Sequence, residues 1–67
     1  MAKRKVYVIG PTQEAADREQ WAVESNMRIR ATSAPRAVRC ASRLYMQMAD
    51  FRGRPLFEVE DLVVRGG

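Results

Sequence analysis

The sequence predicts an α+β domain: an antiparallel sheet of three or four strands with one helix packed across it, in the order β-β-β-α-β. Three observations carry this reading. A β-branched and aromatic run spans Lys3 to Ile9, polar and apolar residues alternate with period two between Trp21 and Ala31, and a helical stripe begins after Pro35. At 67 residues the chain forms one domain, residues 1–67. A domain of that size buries only about 60% of the surface its unfolded chain exposes, so its stability margin is thin and a homodimer or docking on a larger partner is plausible.

The first strand is expected over Lys3 to Ile9 and is ended by Gly10-Pro11. Thr12 to Gln20 sets Glu14, Asp17 and Glu19 against Arg18 and holds few large apolar groups. It is therefore read, within a loop over 10–20, as a mobile acidic segment with at most one helical turn. Trp21 and Val23 share one face of a strand, Ile29 and Ala31 one face of the next. Pairing Trp21 with Ala31 and Val23 with Ile29 puts all four on the core side. That register needs an odd loop, Ser25-Asn26-Met27, because a two-residue turn would place Val23 opposite Arg30. Glu24 then faces Arg28 across the hairpin, a pair that contributes about 0.2–1 kcal/mol, and Arg30 stays unpaired.

The helix has candidate caps and an early proline in Thr32-Ser33-Ala34-Pro35, and a stop in Gly53 and Pro55. Ala37, Val38, Ala41, Leu44, Tyr45 and Met48 form its apolar stripe, with Arg36, Arg39, Arg43 and Gln47 opposite. In Leu56 to Val64, Phe57 and Val59 point inward and Glu58 and Glu60 outward until a bulge or turn near Asp61; Arg65-Gly66-Gly67 is a frayed tail. The expected core is Trp21, Val23, Ile29, Leu44, Met48, Phe57 and Val59. Trp21 and Tyr45 are read as core residues rather than base-stacking platforms.

Charge is the most informative feature for function. Between Glu24 and Asp50 lie Arg28, Arg30, Arg36, Arg39 and Arg43 and no carboxylate, in a chain of net charge +4 in which ten of twelve basic residues are arginine. Arginine's planar fork suits bidentate pairing with phosphate or carboxylate. Arg36 and Arg39 stand in the first turns of the helix, where the dipole disfavours cations by about 0.3–1 kcal/mol each, and Arg39 and Arg43 repel at spacing four. A bound anion reverses both penalties. Arginine-rich codon usage and a solvated helix face are the competing non-functional explanations. The five arginines are the candidate binding residues for a partner or for phosphate.

Catalysis is disfavoured. The chain has no histidine, so histidine-based triads and the usual zinc sites are excluded. Cys40 has no histidine partner and is expected to be a buried or half-buried inert thiol. Glu58, Glu60 and Asp61 fit a solvated strand edge, and Gly10-Pro11 lacks the further glycines and the lysine of a phosphate loop. No cofactor and no metal are expected. One cysteine and no long apolar run point to a cytoplasmic protein with no membrane partner.

The tryptophan that opens the hairpin at Trp21-Ala22-Val23, the Ser/Thr-capped helix and the closing strand together resemble two groups. One comprises short bacterial and phage domains of unknown function with a strand, hairpin, helix and strand. The other comprises small phage proteins that inhibit host machinery, including RNA polymerase inhibitors and anti-CRISPR proteins. The resemblance covers about two thirds of the chain, Trp21 to Val64, and carries over no functional residue; the polymerase inhibitor of this shape is acidic. It implies a non-enzymatic host-takeover or anti-defence inhibitor. Such a protein docks on a bacterial protein or ribonucleoprotein with an acidic or phosphate-lined surface. Direct RNA or DNA binding through the same arginines is the alternative, in a layout reminiscent of double-stranded-RNA-binding domains.

Overall fold

The computed structural model describes residues 3–48 and 57–66. They form β1 (Lys5–Pro11), α1 (Gln13–Glu19), β2 (Met27–Ala31), α2 (Ala34–Met48), a 3-10 turn (Val59–Asp61) and β3 (Leu62–Gly66). The fold is α+β, with β1 in the centre of a three-stranded sheet of order β2-β1-β3 and antiparallel to both neighbours. The element order is thus β-α-β-α-β with two helices, not β-β-β-α-β with one.

The expected hairpin is absent. Trp21 to Asn26 is a connection, and β2 pairs instead with β1 in a register that sets Lys5 opposite Ala31, Tyr7 opposite Ile29 and Ile9 opposite Met27. The reason is ladder length: Trp21 to Val23 could offer two core positions, whereas β1 offers five paired residues and a larger apolar face. Glu24 consequently does not face Arg28. Val8 faces Arg28, and Val6 faces Arg30.

Nor does Gly10-Pro11 end the first strand. Both are buried residues of β1, paired with Val63 and Leu62 of β3. β2 has already ended at that level, so the proline sits where the ladder continues on one side only, and its carbonyl accepts from Arg65 Nη2. A side chain at position 10 would collide with Asn26 and Arg65, which lie over that part of the sheet. Arg65 and Gly66 belong to β3 rather than to a frayed tail, and a bulge falls between Val8 and Ile9 in their pairing with β3.

The acidic segment expected to be mobile is helix α1. Thr12 caps it by accepting from the Ala15 N–H at 3.1 Å, and Ala15 and Ala16 bury fully without any large side chain. Gln20 closes it in the left-handed conformation (φ 60°). The Trp21 N–H bonds Ala16 O at 2.8 Å and the Gln20 N–H bonds Asp17 O at 3.3 Å, the paired bonds of a Schellman ending. Trp21 is thereby delivered to the core.

On α2, Ala37, Ala41 and Tyr45 are buried and Val38 and Leu44 pack against the core, joined by Ile9, Ala15, Ile29, Ala31, Phe57 and Leu62. Trp21, Tyr45 and Phe57 form a triangle of edge-to-face contacts with centroids 4.9–5.8 Å apart. Val23 is only half-buried, and Val59, expected inside, is 49% exposed. Asp61 N bonds Glu58 O at 2.9 Å and Glu58 N bonds Asp61 Oδ2 at 3.0 Å, closing a turn that ends the alternation and hands the inward position to Leu62. Leu56, the Met48 side chain, and the expected helix stop at Gly53 and Pro55 lie outside the described residues.

Gln20 gives the fold a direct test. A left-handed residue bearing a Cβ costs about 1–2 kcal/mol, part of which glycine returns as unfolded-chain entropy. Gln20→Gly is therefore expected to raise the unfolding free energy by about 0.5–1 kcal/mol in denaturant titration; a decrease would contradict the helix ending.

Candidate functional site: an arginine groove

The site begins with the pairing of β1 and β2. Because Lys5 pairs with Ala31, the residues just outside the ladder, Arg4 and Thr32, come together at the end of the sheet where β2 is the edge strand. Ser33 then starts α2, its carbonyl accepting from the Ala37 N–H at 3.0 Å, and its hydroxyl lies 3.5 Å from the Arg36 N–H. Helix and strand edge leave a groove of about 520 Å³ lined by Arg4, Arg30, Ala31, Thr32, Arg36, Cys40 and Arg43. A second depression of about 460 Å³ shares Arg36, Cys40 and Arg43 with it and adds Arg39.

Three of the five candidate arginines, Arg30, Arg36 and Arg43, thus line the groove, and a fourth, Arg39, lines the adjoining depression. All four are exposed, as is Arg28, which lies outside the groove. Arg4 joins them, a residue the sequence reading passed over; only the strand register brings it there. Cys40 is exposed on the groove wall, not a buried or half-buried thiol, because it sits one position around the helix from the apolar stripe.

Among the described residues no carboxylate lines either depression. Among the described residues the ion pairs are Arg18 with Asp61 at 2.8 Å and with Glu19 at 3.3 Å, both remote from the groove. Also among them, no group of three metal-type ligands comes together, and no helix is long and apolar enough to cross a membrane. Chemically, the groove can present several guanidinium forks to one extended anion.

Three acidic residues, Glu58, Glu60 and Asp61, lie on the other flank of α2. Ser42, on that flank, donates to Phe57 O at 2.8 Å and so positions the 3-10 turn with Glu58, Glu60 and Asp61. Burial pushes Asp61 up, but the Glu58 N–H and the Arg18 guanidinium outweigh it and hold the carboxyl below its ordinary value. For Glu60 a hydrogen bond with Glu58, then the Glu58 charge, hold the carboxyl above its ordinary value.

No protein-family model, no curated protein and no solved structure matches the chain.

Two outcomes are expected here. Replacing Arg36, Arg39 and Arg43 together with Gln removes exposed, mutually repelling charges from the early turns of α2, so thermal stability stays level or rises slightly; unfolding of the triple variant would make these arginines structural. Asp61→Ala removes the bond to the Glu58 N–H and lowers stability by about 0.5–2 kcal/mol at neutral pH. Since the folded-state carboxyl titrates below the unfolded one, its stabilisation is complete above the ordinary aspartate range and fades as pH falls through the depressed one. The difference between wild type and variant therefore shrinks in acid, as measured by urea midpoints across pH.

Proposed function

We propose that the chain is a non-catalytic binding protein that docks through its arginine groove on a polyanionic surface of a bacterial nucleic-acid-handling complex, acting there as an inhibitor of the phage type. The observation that supports this reading is the convergence of Arg4, Arg30, Arg36 and Arg43 on one groove, with no carboxylate among the described residues that line it. Isolated exposed arginines are solvated and cost little. Four turned into one concavity repel one another and leave a shaped site for an anion with several acceptor groups. An acidic protein surface or a phosphate-lined ribonucleoprotein surface supplies that pattern, and a chain seated on it blocks the nucleic acid that uses the same surface.

A protein or ribonucleoprotein partner is preferred to naked nucleic acid because Tyr45 and Phe57 are buried and Trp21 packs edge-on against both. They leave no exposed stacking platform for unpaired bases among the described residues. Salt separates the two partners. Affinity for duplex DNA falls with a log-log slope of about −0.9 per phosphate contacted, whereas a shape-matched protein contact depends on salt mainly through its association rate. Weak, salt-sensitive binding to random duplex DNA or RNA is expected by fluorescence anisotropy. Tighter, salt-tolerant capture of a bacterial protein is expected in a nuclease-treated pull-down, lost in the Arg36, Arg39, Arg43 triple Gln variant. Cys40 offers an independent readout, since an occupant of the groove shields its thiol from a maleimide. Sub-micromolar binding to naked nucleic acid at physiological salt would make direct recognition the function.

A further inference from the structure

The turn on the far flank of α2 is shaped like a ligand for the groove. Glu58, Val59 and Glu60 are consecutive and exposed, and Val59 at 49% is the most exposed of the large hydrophobic residues described. Asp61 is engaged by Arg18 and by the Glu58 N–H, which holds the turn in shape. Glu58 and Glu60 lie close together on the turn, the proximity of Glu58 holding the Glu60 carboxyl above its ordinary value, and no basic side chain among the described residues pairs with either. A valine between two carboxylates that no described basic residue pairs thus stands on one side of the helix. A groove with Ala31 and Cys40 in its lining and arginines around them stands on the other.

Within one molecule the two cannot meet. Cys40 faces the β2 edge, whereas Ser42, about 200° further around the helix at 3.6 residues per turn, bonds the Phe57 carbonyl that leads into the turn.

We infer that the Glu58-Val59-Glu60 turn of one copy seats in the arginine groove of a second copy, so that the protein associates head to tail and masks its own docking site. Val59 sits against Ala31 and Cys40, and the two carboxylates reach the arginines on either wall. The contact joins two different patches and therefore propagates as an open chain of subunits unless its rotation happens to close a ring. Because the charges are solvated, association is weak and disappears as salt screens it. This rests on the docking reading of the groove and adds regulation to it: a stronger polyanion displaces the turn and disperses the chain of subunits.

The test is the mass in solution, by sedimentation equilibrium, at about 0.05 M and about 0.5 M salt. Wild type is expected to exceed the 7.6 kDa monomer at low salt and to return to it at high salt. Arg36→Glu with Arg43→Glu leaves two negative charges beside Arg4 and Arg30 and so cancels the positive charge of the groove, and Glu60→Lys beside Glu58 cancels the negative charge of the turn; each variant alone is expected to be monomeric at low salt. Their equimolar mixture is expected to associate again, because the intact groove of Glu60→Lys meets the intact turn of the double Glu variant. A wild type that stays monomeric at low salt overturns the inference whether or not the variants fold, and so does a variant that associates alone as wild type does. Inorganic polyphosphate separates this from the docking reading. Glu60→Lys keeps its groove and is expected to bind polyphosphate while failing to self-associate. Polyphosphate binding by a wild type that never self-associates overturns the self-masking alone. Failure of Glu60→Lys, monomeric with its groove open, to bind polyphosphate at low salt while wild type self-associates overturns the docking reading.

Discussion

The fold depends on one buried side chain, Tyr45. Its ring is 1% exposed and stands edge-to-face with Trp21 at 5.5 Å and with Phe57 at 4.9 Å, while its hydroxyl donates to Ser25 O at 2.8 Å. Trp21 and Ser25 belong to the connection between α1 and β2, and Phe57 leads into the 3-10 turn before β3. A single position on α2 therefore holds both connections of the chain against the sheet. Each aromatic pair adds about 0.5–1.5 kcal/mol beyond the area it buries. That matters here because the other buried positions include five alanines, Ala15, Ala16, Ala31, Ala37 and Ala41, which allow close approach but contribute little area.

Once Tyr45 is fixed, so is the rotation of α2. With Ala37, Ala41 and Tyr45 turned to the sheet, Arg36, Arg39 and Arg43 have no direction but outward, and Cys40 and Arg36 fall beside the β2 edge. The groove is thus a by-product of core packing on one flank of the helix. The acidic turn, held through Ser42 and Phe57, is its counterpart on the other.

The helix was legible because its apolar period over Ala34–Met48 agrees with the polar start at Ser33, whose hydroxyl faces the Arg36 N–H. The exposure of its arginines follows from the same period. What failed was pairing. Alternation shows which face of a strand is buried but not which strand lies next to it, so the two inward positions of Ile29 and Ala31 fitted a local hairpin as well as the true partner β1. α1 was hidden for a different reason. It buries alanines rather than large residues, and its evidence lay in Thr12 as cap and in the Gln13 to Asp17 side-chain bond at 2.8 Å, which spacing alone did not single out. Arg4 could not be found at all without the register.

The arginines invite a purely structural explanation, and it covers only some of them. β2 is an edge strand, and charged side chains on such an edge keep it from pairing with another sheet. Arg28 and Arg30, alternating with buried Ile29 and Ala31, suit that task. Arg36, Arg39 and Arg43 do not, since they sit on a helix and protect no ladder. In their places acids or neutral residues would relieve the dipole and the mutual repulsion without disturbing any buried contact. Among the described residues their charge has no ion-pair partner. Because three of these residues share a groove with Arg30 and Arg4, or adjoin it, an anion brought from outside, by a partner or by another copy's turn, is the reading that accounts for edge and helix arginines together.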